Sequence, residues 1–196
     1  IAQNSGRHTG LVKASSAGGT WNLILTQTAS SSATIDFTSN IDSTYDEFVF
    51  KFINIHPETD GETFQFNMSI DSGSNYNVAK TSTSILVYNM EDDSAAGLQY
   101  DTNRDLAQGT GFQDITENQD NDNDSSASGT LHLFNPSSTT FVKHFISDST
   151  MVRDGAKSYA TKNAGYGNTT SAVDAIRFQM SSGNIDAGQI SLYGIS

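Results

Sequence analysis

The sequence has no cysteine, only two prolines, few basic residues and no long apolar run. Without cysteine there is no disulfide framework, which argues against a small stapled ectodomain. Ten Lys and Arg stand against 22 Asp and Glu, for a formal net charge of −12. Phosphate affinity comes mainly from Lys and Arg, so this balance argues against a nucleic-acid partner and against binding an anionic membrane. It favours a solvated surface and repulsion between monomers. No apolar stretch approaches the roughly 20 residues of a helical membrane span, and no charged-then-apolar leader occurs. Charged residues are only 16% of the chain. Ser, Thr, Asn and Gly fill the gaps, a composition that suits many short strands and suits long helices badly. A chain of 196 residues is most simply one domain, and buries about 70% of its unfolded surface without needing a metal or disulfide.

The organising stretch runs from Asp46 to Asp71. Phe64, Phe66, Met68 and Ile70 alternate with Gln65, Asn67 and Ser69, the period of a half-buried strand. Before it, Phe48, Phe50 and Phe52 share one face, with Val49, Ile53 and Ile55 on the other. A strand apolar on both faces lies inside a sheet or changes face at a bulge. His56-Pro57-Glu58-Thr59-Asp60-Gly61 between them is turn chemistry, so a central antiparallel hairpin is expected.

Ile1 to Gly19 is poor in apolar residues and rich in Gly; it reads as a flexible arm or linker, frayed or docked on a neighbouring subunit. Residues 20–196 read as a single β-sandwich domain. Trp21–Thr28 and Ala33–Thr38 are expected strands, with Trp21 as a packing anchor. Val78–Asn89 is another. From Met90 to Asn123 the pattern loosens into the expected contact-making region. Gly129–Phe134 and Thr140–Ile146 read as a buried hairpin, Asp148–Asn168 as polar connection, and Ala172–Met180 with Gly188–Ile195 as a terminal hairpin. In total, about eight to ten strands are expected, with no helix and no internal repeat. The predicted fold is all-β, a two-sheet antiparallel β-sandwich with jelly-roll connections.

Candidate chemistry is sparse. Asp120, Asp122 and Asp124 alternate with Asn121 and Asn123, resembling the opening of a calcium loop, since Ca²⁺ takes several hard oxygens from a flexible segment. The EF-hand pattern then fails: Ser125 replaces its glycine and Leu131 stands where its bidentate Glu belongs. These three aspartates are the one calcium candidate, beside the plainer reading of a solvated acidic loop. His8, His56, His132 and His144 show no close metal spacing, although His132 and His144 lie on paired strands. No nucleophile elbow, P-loop or HExxH is present, and no carboxylate pair sits in a spacing that forces a cleft. The expectation is a non-enzyme with no cofactor beyond that calcium.

Several phrases are familiar together: Trp21–Ile24 with Thr26–Phe37, Asp42–Pro57, Ser128–Leu131, Phe134–Thr140, Asn168–Asp174 and Met180–Asp186. From Trp21 to the C-terminus the set resembles virion structural proteins of tailed phages of the marine, cyanophage type. The resemblance implies a structural component of an extracellular virus particle, such as a head decoration, fibre or tail appendage. It would assemble with other virion proteins and with itself as a homo-oligomer, a trimer being one candidate. A tail module binding host-surface glycan is the first alternative, with Tyr88, Tyr100, Tyr159 and Tyr166 available to stack on sugar rings. A subunit of an extracellular filament, with Ile1–Gly19 as a donated strand, is the second.

Overall fold

The computed structural model describes residues 20–153 and 157–195. These residues form twelve strands and no helix. In chain order they are β1 (Trp21–Ser32), β2 (Ile35–Phe37), β3 (Glu47–Pro57), β4 (Phe64–Ser69), β5 (Lys80–Met90), β6 (Ala96–Tyr100), β7 (Gln113–Asp114), β8 (Ala127–Phe134), β9 (Lys143–Arg153), β10 (Lys157–Gly167), β11 (Ala175–Met180) and β12 (Ile185–Ile195). Two antiparallel sheets result, one in the order β1-β12-β3-β8-β9-β10-β5-β6 and the other in the order β2-β11-β4-β7. The protein is an all-β sandwich. The proposed arm, Ile1–Gly19, lies outside the described residues.

The core sits between the sheets because period-2 strands turn their apolar faces toward each other. Phe48, Phe50 and Phe52 of β3, Leu131 and Leu133 of β8, and Ile190 and Leu192 of β12 meet Phe64, Phe66 and Met68 of β4 and Ile176, Phe178 and Met180 of β11. Phe178 is the hub. Its ring stacks on Phe64 at 5.5 Å and lies 5.3 Å from Phe50 and 6.2 Å from Phe37. Gly129 of β8 is required by this crowding, since a Cβ there would lie 2.7 Å from the Phe52 ring and against the Asp148 carbonyl.

The stretch from Asp46 to Asp71 is not a hairpin. β3 pairs with β12 and β8, whereas β4 pairs with β11 and β7. The turn, with Gly61 at φ +77°, carries the chain across the sandwich, so both apolar faces meet the core from opposite sides. The terminal pair is corrected in the same way, because β11 and β12 belong to different sheets. Only the expected pairing of β8 with β9 holds as a hairpin. The change of face in β3 is a bulge. Asn54 has φ +52°, the register against β8 slips between Phe52 and Ile55, and Ile55 thereby enters the core while Ile53 stays half-buried. Ile70 lies just beyond β4 and is exposed.

The polar connection expected over Asp148–Asn168 is instead the end of β9 followed by β10, eleven residues paired on both sides with β9 and β5. Its core-facing residues include Thr161 and Asn163, polar groups that carry no hydropathy signal. The small sheet has too few strands to cover this half of the larger one. Residues 101–119 cover it instead. Ser149 Oγ donates to the Ile115 carbonyl at 2.9 Å, Asn163 Nδ2 to the Asp114 carbonyl at 3.1 Å, and Ser82 Oγ to Gln113 Oε1 at 2.6 Å.

Candidate functional site

Three places concentrate polar or exposed apolar groups. The first is an open polar cleft of about 440 Å³ at one end of β3, β8 and β12, lined by Asn54, His56, Asn123, Asp124, Ser125 and Asp186 among others. The bulge at Asn54 and the turn before β8 build it. His56 Nδ1 lies 3.5 Å from Asp186 Oδ2, and its Nε2 is 3.1 Å from the Asp122 carbonyl. The imidazole therefore ties the aspartate loop to the sheet. The loop also holds itself, with Ser125 N–H donating to the Asp122 carbonyl at 2.9 Å.

The structure separates the three calcium candidates. Asp124 lines the cleft; Asp122 and Asp124 are exposed and Asp120 is half-buried. Among the described residues, no group of three or more His, Asp or Glu side chains is placed to hold a metal ion. With Asp122 contributing its carbonyl to His56, the loop's geometry is that of a hydrogen-bonded turn. Addition of millimolar Ca²⁺ is accordingly expected to leave the melting temperature unchanged. A rise of several degrees, lost in Asp124→Asn, would instead assign a calcium loop.

The histidines take separate partners. His132 Nδ1 meets Glu47 Oε1 at 2.6 Å, and His144 lies edge-on to Tyr166 at 6.2 Å. In the β8–β9 register His132 faces Ile146, not His144. The tyrosines are also dispersed. Tyr88 and Tyr159 lie 5.7 Å apart in a minor core with Leu86 and Met151. Tyr100 is exposed and donates to Asp105 Oδ2 at 2.6 Å, which pushes its own ionisation up. No sugar-stacking cluster of the four forms.

The second place was invisible in the sequence. Arg104 sits almost buried in the segment that covers β9, β10 and β5. Its guanidinium reaches Asp101 Oδ2 at 2.8 Å, Glu117 Oε1 at 2.7 Å and Asn118 Oδ1 at 2.7 Å. Arg153 adds a second cation to Glu117 at 3.1 Å. Burial pushes the Glu117 and Asp114 carboxyls up, an effect offset only in part by Arg104 at Glu117 and by hydrogen bonds from Gln65 and Thr63 at Asp114. The guanidinium holds Asp101 and Glu117 together and so fastens a loop, although Glu117 Oε2 is buried without a hydrogen bond of its own. A related case is Lys80, buried with Nζ donating to Asn67 Oδ1 and, at 2.9 Å, to the Val78 carbonyl. Burial pushes its ammonium down to about 7, yet it lines none of the clefts described here.

The third place is the outer face of the large sheet. Small residues Ser128, Gly129, Thr150 and Ala160 leave a shallow furrow of about 450 Å³ walled by Ile85 and Val87. Leu98 and Tyr100 of β6 continue that wall to the sheet edge, 72% and 50% exposed. At the opposite edge, β1 leaves Trp21 and Leu23 47% and 60% exposed, Trp21 resting edge-on against Tyr193. Trp21 is thus an anchor in part only. The sequence signal for these edges is two strands, Trp21–Ser32 and Ala96–Tyr100, with no charged residue between them. Edge strands are ordinarily guarded by charge or proline. Comparison with protein-family models, curated proteins and solved structures finds no match to this chain.

Proposed function

We propose that this chain is a non-enzymatic structural subunit of a tailed-phage particle, built into the virion in multiple copies as a decoration, fibre or tail-appendage protein. The observation that carries the reading is the strand order. Within the two sheets, β1-β12-β3-β8 lies opposite β2-β11-β4-β7. This order supports a jelly-roll reading, with β5-β6 and β9-β10 taken as two added hairpins that widen one sheet. Jelly rolls recur in viral shells and in lectins because a closed pair of Greek keys makes a rigid block whose loops and edges are free to vary. The two unguarded edges support assembly, since exposed uncharged strands are templates for pairing with another chain. The resemblance of Trp21 to the C-terminus to phage virion proteins points the same way.

The second reading, a tail module that binds host glycan, is favoured by the polar cleft around His56, where Asn54, Asn123, Asp124 and Asp186 offer donors and acceptors for hydroxyl groups. One set of measurements separates the two. Sedimentation of the purified chain is expected to show a concentration-dependent homo-oligomer, and mass spectrometry of purified particles is expected to find it in stoichiometric copies. A chain that stays monomeric at hundreds of micromolar and is absent from particles overturns the reading. Retention of a glycan on an array by that monomer would move the assignment to the second.

A further inference from the structure

We infer that the β6 edge and the apolar strip beside it form the docking site for residues 7–13 of a second copy of this chain. The inference rests on the oligomeric reading above and names its interface. The site is amphipathic. Ile85 and Val87 of β5 and Leu98 of β6 form a continuous exposed apolar strip on the outer face, the kind of patch a soluble surface leaves open for a partner. The outer backbone edge of β6 completes it, because among the described residues β6 is the last strand of its sheet and pairs only with β5. Just before β6 the chain passes through Glu91, Asp92 and Asp93, all exposed, and just after it lies Asp105. A strand added here meets apolar side chains in the middle and carboxylates at its ends.

The chain contains one segment of complementary chemistry. No acidic residue occurs before Asp36, while Arg7 and Lys13 bracket Gly10-Leu11-Val12. In an added strand, Leu11 and Val12 point to opposite faces. One would rest on Leu98, which itself packs beside Val87. The other would cover the Tyr88 ring, which lies over Gly97, where a Cβ would come within 2.7 Å of it. Arg7 and Lys13 would then reach the flanking carboxylates. The donor is a neighbour because β1, which the segment precedes, forms the opposite edge of the same sheet. Seven strand spacings of about 4.8 Å separate β1 from β6. An arm leaving one edge and docking on the far edge of the next copy is a heterologous contact, which closes into a ring or runs on as a filament.

Full-length variants test this by sedimentation. Leu98→Asp at the site and a Leu11→Asp, Val12→Asp pair in the arm should each weaken self-association by about 30-fold or more and leave the 21.0 kDa monomer. Leu98 is exposed, so its variant should melt like the parent. Leu23→Asp, on the β1 edge, should leave the oligomer intact. Mixing the two monomeric variants is decisive, since one retains a working arm and the other a working groove. A one-to-one dimer is expected. Oligomers that survive both substitutions, a mixture that stays monomeric, or dissociation only by Leu23→Asp each overturn the docking site while leaving the oligomeric reading in place. A parent chain that never associates removes both.

Discussion

Arg104→Ala is expected to cost about 3–5 kcal/mol of folding stability, the range for removing one partner of a buried ion pair. The arginine holds Asp101 and Glu117, whose side chains are 5% and 8% exposed. Without it, Asp101 loses its cation, and Glu117 keeps only Arg153. Two carboxylates then remain in a low-dielectric interior, where the charged form is disfavoured. The deficit should therefore depend on pH. A carboxyl whose folded pKa is raised is penalised above its unfolded pKa, and the penalty lifts as pH falls through the folded value. Urea titrations should give a larger loss at pH 7 than at pH 4.5. Arg177→Ala is the control. That guanidinium makes two bonds to Asp36, at 2.8 and 2.6 Å, and stacks over Tyr76, but the pair is about a third exposed. A loss near 1 kcal/mol is expected there. Equal losses for the two variants would remove the buried network from the account.

Lys80→Met is expected to stabilise the protein at pH 6, to lose that gain as the pH rises, and to be destabilising near pH 10. The sign follows from burial. The folded-state pKa of Lys80 is pushed from 10.5 down to about 7, so between those values the unfolded chain binds more protons than the folded one. Stability then rises with pH across that window, and the penalty for burying the ammonium is fully present below pH 7. The full shift is worth up to about 5 kcal/mol. Loss of the Nζ hydrogen bonds offsets part of it, although Asn67 Oδ1 still accepts from the Met68 N–H at 2.9 Å. A net gain of about 2 kcal/mol at pH 6 is expected. Lys143 is the second buried lysine, and burial depresses its pKa as well. It makes a poorer test, since its ammonium donates to the Ser138 and Phe141 carbonyls at 2.6 and 2.7 Å and to the Thr169 carbonyl at 3.4 Å, tying two loops together. Thermal melts of the parent and Lys80→Met between pH 6 and 10 check the prediction; parallel curves would exclude it.

The strands legible in the sequence are those whose buried face is apolar. β3, β4 and β11 announce themselves through Phe48, Phe50 and Phe52, Phe64, Phe66 and Met68, and Ile176, Phe178 and Met180. β10 does not, although its burial alternates just as regularly from Tyr159 to Asn163. Its inward residues after Tyr159 are Thr161 and Asn163, polar side chains without a hydropathy signal, of which Asn163 is held by Nδ2 bonds to the Asp114 carbonyl and Ser147 Oγ. Pairing was less legible than strands. A six-residue turn such as His56–Gly61 serves a hairpin or a crossing between sheets, and only the partner strands decide which. The Arg104 cluster escaped for a related reason. Asp101, Arg104, Asp114 and Glu117 are scattered charges in a turn-rich segment, which reads as a wetted loop until β9 and β10 supply a floor beneath it.

The mismatch in width between the two layers has a dynamic consequence. Beneath β1, β12, β3 and β8 the filling is phenyl and aliphatic; beneath β9, β10 and β5 a smaller apolar set (Phe145, Leu86, Met151 and Tyr159) is interleaved with hydroxyl, amide and ion-pair groups. Amide hydrogens in the first zone should exchange only on global opening, those of the second by a cheaper sub-global opening in which 101–119 lifts away. The domain then behaves as two cooperative compartments sharing one sheet, the second opening at lower denaturant while the first stays shut.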